Sequence, residues 1–165
     1  MACGGIYANG VGAAYALCVR GAVIPGSATR FSRTTGWEPV VSDTDNGLMW
    51  QGCAAGQNGD NCENGAATTR NWHDALQYCE ILNWAGHDDW RLPNVLELMS
   101  ISDGALKSGA IDDHYFPKTD VGAAFCSSTS YGVGTTVRTV EYGSGTIGPG
   151  DKAGSFELRC VRALP

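Results

Sequence analysis

Seven cysteines in 165 residues restrict this chain more than any other feature. Cysteines at that density persist as disulfides in oxidising compartments, whereas cytosolic chains use them for metals or redox motifs. The spacing argues against the alternatives. Cys53 and Cys62, the nearest pair, stand too far apart for a zinc knuckle or a thioredoxin-type motif, and no CxxCH haem motif occurs. Most of the cysteines are therefore expected in disulfides, and the protein outside the cytoplasm or at the cell surface. Cys53 and Cys62 bound the Gly/Asn loop "CAAGQNGDNC", where a bridge would close a small ring. An odd count leaves at least one cysteine free or bonded to another chain, and Cys18 is the candidate for the intermolecular bond.

The remaining composition narrows the class. Twenty-three glycines and only 17% charged residues favour turns and short strands over long surface helices. A net charge of −6 disfavours nucleic acid and other polyanions as partners, because such binding runs on clustered Lys and Arg. No membrane-spanning segment is expected. The first 26 residues are small and apolar but lack the basic start and Leu-rich run of a signal peptide, so a targeting sequence is expected to have been removed.

Residues 27–37, "SATRFSRTTGW", read as a polar linker into a domain spanning 27–165. "EPVVSDTDNGLMWQ" then reads as a β-hairpin, with Val40 and Val41 on one arm, Leu48 and Trp50 on the other, and Asn46-Gly47 at the turn. The same stretch resembles the start of a calcium loop. The match fails, because Gly47 comes one position early and Ala54 stands where the bidentate Glu belongs. The clearest helix follows. Asn71 can cap it, and Trp72, Ala75, Leu76, Cys79 and Leu82 form one buried stripe that leaves His73 and Asp74 in solvent. A second helix starts at Asn94, with Glu97 at capping-box spacing, Pro93 blocking backward extension and Gly104 as the stop. Val95, Leu98 and Ile101 or Ser102 mark its buried side. Residues 105–123 read as irregular, with Ile111 and Phe116 packed inward. The rest is β: "AAFCSST", a hairpin from "TTVRTVEY" through "GSG" to "TIG", and "SFELRCVR" as the last strand. In that strand Phe156, Leu158 and Cys160 point inward, and Glu157, Arg159 and Val161 point the other way. A hairpin, two short helices and a β-meander make the class α+β.

"CVR" occurs twice, in "YALCVRG" and in "ELRCVRA". Residues 5–20 repeat the last strand with one gap, over about sixteen residues, which is too short for a domain. Residues 1–26 thus form an N-terminal segment. It is either the remnant of a preceding tandem domain or an arm that adds as a strand to a sheet edge.

"DTDNGLMWQ", "DWRLPN", "AID..FP.T", "SST" and the terminal "RCVR" resemble, in this order, the C-terminal domain family of the Legionella collagen-like adhesin. The resemblance runs from about Arg30 to Arg162. That family looks like a branch of the C-type-lectin-like fold, which also includes formylglycine-generating oxidases and retroelement variable proteins. The resemblance implies two short helices with small antiparallel sheets, and a bridge from the first helix to the last strand, which falls on Cys79 and Cys160. It also implies a surface recognition role, with ligand contacts on the strands of the last third: Ser130, Tyr131, Arg138, Glu141, Tyr142, Asp151 and Lys152. Cys126 stands where the family carries Trp before "SS".

The other constellations read as structural. Trp90 is expected to fill the core and Arg91 to bond backbone carbonyls, with Pro93 and Asn94 setting the helix start. His87, Asp88 and Asp89 read as a solvated loop, as do Asp112, Asp113 and His114, and no metal or other cofactor is expected. Three readings of function follow. The first is a non-enzymatic extracellular module that binds a glycan or a protein. The second is a self-assembling subunit joined to copies of itself through the N-terminal strand. The third is a thiol oxidase of the formylglycine-generating type, for which Cys126 is the candidate thiol.

Overall fold

The computed structural model describes residues 30–102, 111–132 and 134–165. The N-terminal repeat with Cys3 and Cys18, and Gly104, lie outside the described residues. The elements are β1 (Phe31–Arg33), β2 (Val40–Asp43), β3 (Leu48–Gln51), β4 (Gln57–Asn58), β5 (Asn64–Gly65), α1 (Trp72–Glu80), α2 (Val95–Ser100), β6 (Ala124–Tyr131), β7 (Thr136–Glu141), β8 (Thr146–Asp151) and β9 (Val161–Ala163). They form antiparallel sheets ordered β1-β2-β3-β9 and β6-β7-β8, with a small β4-β5 pair. The fold is α+β and stapled by disulfides.

The expected hairpin forms, with Val41 opposite Trp50 and Asp43 opposite Leu48. Gly47 closes it at φ 63°, where a Cβ would be strained. The linker expected at 27–37 is corrected: Phe31–Arg33 pairs with β2 as a strand. Its anchor is ionic. Arg30 donates to both carboxylate oxygens of Asp43, at 2.9 and 2.7 Å, and to the Ser100 carbonyl at 2.8 Å. Asp43 also accepts from the Asn46 side chain at 2.8 Å, so the carboxylate of the calcium-like stretch is engaged within the fold. Burial alone would raise the Asp43 carboxyl. The Arg30 and Asn46 hydrogen bonds outweigh it and hold the group below the ordinary carboxylate range.

Both helices begin as the sequence dictates. The Asn71 side chain accepts from the Asp74 amide at 3.0 Å. Asn94 and Glu97 form a complete capping box, satisfying orphan amides at the first turn. On α1, Ala75 and Cys79 are buried, and Trp72, Leu76 and Leu82 pack beside them. On α2, Leu98 is fully buried, and Ile101 just beyond the helix is 2% exposed.

The core has two halves. One gathers Cys79, Trp84, Trp90, Leu92, Val137 and Leu158, and the other Trp50, Leu98, Phe116, Phe125, Val140 and Tyr142. Residues 156–161 run between them, which corrects the reading of the last strand. The ladder proper covers only Val161–Ala163, and the preceding residues make single pairings with Arg70 and Phe125. The alternation holds, since Phe156, Leu158 and Cys160 enter the first half and Val161 the second. Arg159 faces the second half and is fully buried. It donates to the Gln51 carbonyl at 2.8 Å and the Thr119 hydroxyl at 2.9 Å, with its guanidinium 4.9 Å from the centre of the Phe116 ring. Burial pulls its pKa down to about 10.

Two disulfides close the frame. Cys53–Cys62 and Cys79–Cys160 have Cα separations of 5.4 and 5.6 Å, as the loop reading and the family resemblance imply.

Candidate functional site

Two surfaces carry the residues singled out by the sequence. The first is the junction built around "DWRLPN". Trp90 is 3% exposed, and its indole N–H donates to the carbonyls of His87 at 3.0 Å and Trp84 at 3.3 Å. Trp90 is therefore a core anchor with a satisfied polar end. Arg91 departs from expectation. Its guanidinium makes a two-pronged pair with Glu97 at 2.7 and 2.6 Å, while its backbone bridges Val161. Burial would raise the Glu97 carboxyl, but Arg91 and the Asn94 amide hold it below its ordinary value. Asp89 stays at the surface, as expected of the solvated loop, and there accepts from Arg162 at 2.6 and 3.0 Å.

"SST" completes this junction. β6 and β7 pair on either side of a register shift between Cys126 and Ser130. The displaced residues turn their polar groups to both helix starts. Trp72 donates its indole N–H to the Ser127 carbonyl at 3.1 Å, and the Ser128 amide donates to the Pro93 carbonyl at 2.8 Å. The Val95 amide donates to the Thr129 hydroxyl at 3.0 Å. Three motifs distant in sequence thus share one hydrogen-bonded knot.

The second surface is the β6-β7-β8 sheet. Directly opposed residues share a face and neighbours along a strand alternate. The register therefore sorts the seven expected ligand residues. Tyr131 lies opposite Thr136, Thr136 opposite Asp151, and Arg138 opposite Pro149. Tyr131, Arg138 and Asp151 consequently lie on one face. Ser130, Glu141 and Lys152 belong to the other, where the Lys152 ammonium sits 3.9 Å from the Trp72 ring centre. Tyr142 is corrected: it is fully buried, and its hydroxyl donates to the Leu98 carbonyl at 3.1 Å. The sequence reading missed Thr136, Ile147 and Pro149, which share the face of Tyr131. Fixing the hairpin register from the turn would have found them. On this face the Arg138 guanidinium lies 3.6 Å from the Tyr131 ring centre, and Tyr131 is 51% exposed. The stack holds a planar aromatic and a planar cation side by side in solvent.

Cys126 is buried and unbonded. Burial pushes its thiol up to about 12, so its thiolate is scarce at neutral pH.

With two disulfides, a knot joining "DWRLPN" to "SST", and the closing "RCVR" threaded through the core, the molecule is a disulfide-stapled α+β module. The model of the Lcl C-terminal domain family matches residues 39–162, about three quarters of the chain, and the chain belongs to that family. No curated protein matches it. Among the described residues, no helix is long and apolar enough to cross a membrane.

Proposed function

We propose that this chain is an extracytoplasmic, non-enzymatic recognition module that engages a glycan or protein through the Tyr131–Arg138 face of its β6-β7-β8 sheet. Membership of an adhesin-type domain family and the two disulfides support the setting. The observation that carries the reading is the stacked Tyr131–Arg138 pair standing in solvent beside Thr136, Pro149, Ile147 and Asp151. Tyr and Arg dominate binding energy where they can be desolvated by a partner, and the mixed polar and apolar surroundings suit such a contact.

The sheet edges favour this reading over strand-mediated assembly. Pro149 interrupts the outer edge of β8, β1 is three residues long, and Arg91 bridges the free side of β9. Pro, brevity and a covering segment each blunt an edge. A thiol oxidase is disfavoured by the buried, unactivated Cys126 and by the commitment of Cys79 and Cys160 to each other.

The test is retention of the full chain on a panel of immobilised glycans and matrix proteins, with a Tyr131→Ala/Arg138→Ala variant alongside. Retention of the parent and its loss in a variant with an unchanged melt supports the proposal. Equal retention of both, or filaments by negative-stain microscopy, overturns it.

A further inference from the structure

Trp37 is 65% exposed, more than any other aromatic side chain among the described residues. A single exposed apolar side chain is ordinary on its own; this one stands on a backbone pinned by hydrogen bonds, beside two polar hollows. The backbone beneath it is tied at several points. The Gly59 amide donates to the Trp37 carbonyl at 3.0 Å, and the Gly36 amide donates to Asp60. The Val40 amide donates to the Thr34 hydroxyl at 2.9 Å, and the Ala85 amide donates to Glu38 at 2.8 Å. The facing loop is closed by Cys53–Cys62.

Two adjoining hollows open on this loop pair and share Asp60 as a wall. One, of about 340 Å³, is lined by residues including Arg33, Thr35, Asn61 and Tyr115. The other, of about 240 Å³, runs between Trp37, Glu63 and Asn64. Ligand clefts begin at roughly 300 Å³, so the first hollow alone reaches that size. The polar groups around them are underused. Within the described residues, one oxygen each of Asp60 and Glu63 accepts a backbone amide, and the second oxygen of each has no partner. The Thr35 hydroxyl and the Asn64 side chain likewise find no partner there.

We infer that this cleft is a second binding site, separate from the sheet face, and that it takes a neutral, hydroxyl-rich sugar chain. The apolar face of a pyranose ring matches an exposed indole, and sugar hydroxyls donate to carboxylate and amide oxygens. Two carboxylates against the single guanidinium of Arg33, on a chain of net charge −6, repel sulfated or carboxylated ligands. The rigid backbone lowers the ordering cost that weakens sugar binding on mobile loops.

The test is an NMR titration of the full chain with cellohexaose and with the hexamer of N-acetylglucosamine, using a heparin hexasaccharide as the polyanion. The indole N–H resonance that disappears in Trp37→Ala reports the site. A neutral hexasaccharide is expected to shift that resonance saturably at millimolar concentration, and heparin is not. Trp37→Ala weakens binding at least about tenfold, Trp37→Phe restores most of it, and Leu96→Ala on α2 leaves it unchanged. The inference is overturned if no neutral hexasaccharide binds, if heparin binds more tightly, or if binding survives Trp37→Ala. Neutral-sugar binding that survives Trp37→Ala but is lost in Tyr131→Ala/Arg138→Ala would belong to the sheet face instead.

Discussion

Trp90 and Trp37 mark two regions of one domain with opposite designs. At the junction, Trp90 is 3% exposed and its indole N–H is held by two carbonyls. Around it Arg91 meets Glu97, Arg162 meets Asp89, and both helix starts bond the β6 bulge. At the cleft the backbone is equally well tied, yet Trp37 stands in solvent, and Asp60 and Glu63 each keep one oxygen without a partner among the described residues. The junction consumes its polar groups to define the fold. The cleft rim holds its own in reserve, which is how a site for something outside the chain differs from a structural knot.

Trp90→Ala is expected to destabilise by about 3–5 kcal/mol, the usual cost of deleting a buried large aromatic, measured by urea unfolding. Removing the long bridge as Cys79→Ala/Cys160→Ala is expected to cost about 3–4 kcal/mol, since it closes a separation of 81 residues. Non-reducing peptide mapping must first recover Cys79 joined to Cys160. Finding either as a free thiol would undo the frame.

Acid tests the ionic anchor of β1. Asp43 is held below its unfolded value, so its contribution is present above about pH 4 and is lost as pH falls through the depressed folded value. Asp43→Asn is expected to cost about 1–3 kcal/mol at neutral pH and to flatten the acid limb of stability against pH. An unchanged acid limb would mean that Arg30 and Asp43 do not anchor the strand. The smallest effect belongs to the α2 cap. Asn94→Ala is expected to cost about 1 kcal/mol, read as a small drop in melting temperature.

The junction was legible in the sequence because its signals are local and periodic. Asn94 with Glu97, the stripe through Ala75 and Cys79, and the alternation of Phe156, Leu158 and Cys160 each follow from helix or strand geometry. The misreadings came where tertiary partners decide. Nothing near Phe31 shows that Arg30 will reach Asp43, so a polar strand looked like a linker. Arg91 found Glu97 rather than backbone carbonyls because the capping box brings that carboxylate back to the helix start. Tyr142 looked like a surface residue at the end of a polar hairpin, but just past β7 its ring packs onto Phe125 at 5.1 Å in the core. The sheet face was half legible. Its residue types were visible, but their division between two sides needed the register.

The division of labour between the two regions is tested most directly by placing the two tryptophan variants side by side. Trp90→Ala and Trp37→Ala are compared by urea unfolding and by binding of a neutral hexasaccharide. Trp90→Ala is expected to lose several kcal/mol of stability, whereas Trp37→Ala is expected to unfold within about 0.5 kcal/mol of the parent and to lose the sugar. A Trp90→Ala protein that stays as stable as the parent but no longer binds, beside a Trp37→Ala protein that binds normally, would contradict that division and move the site to the junction.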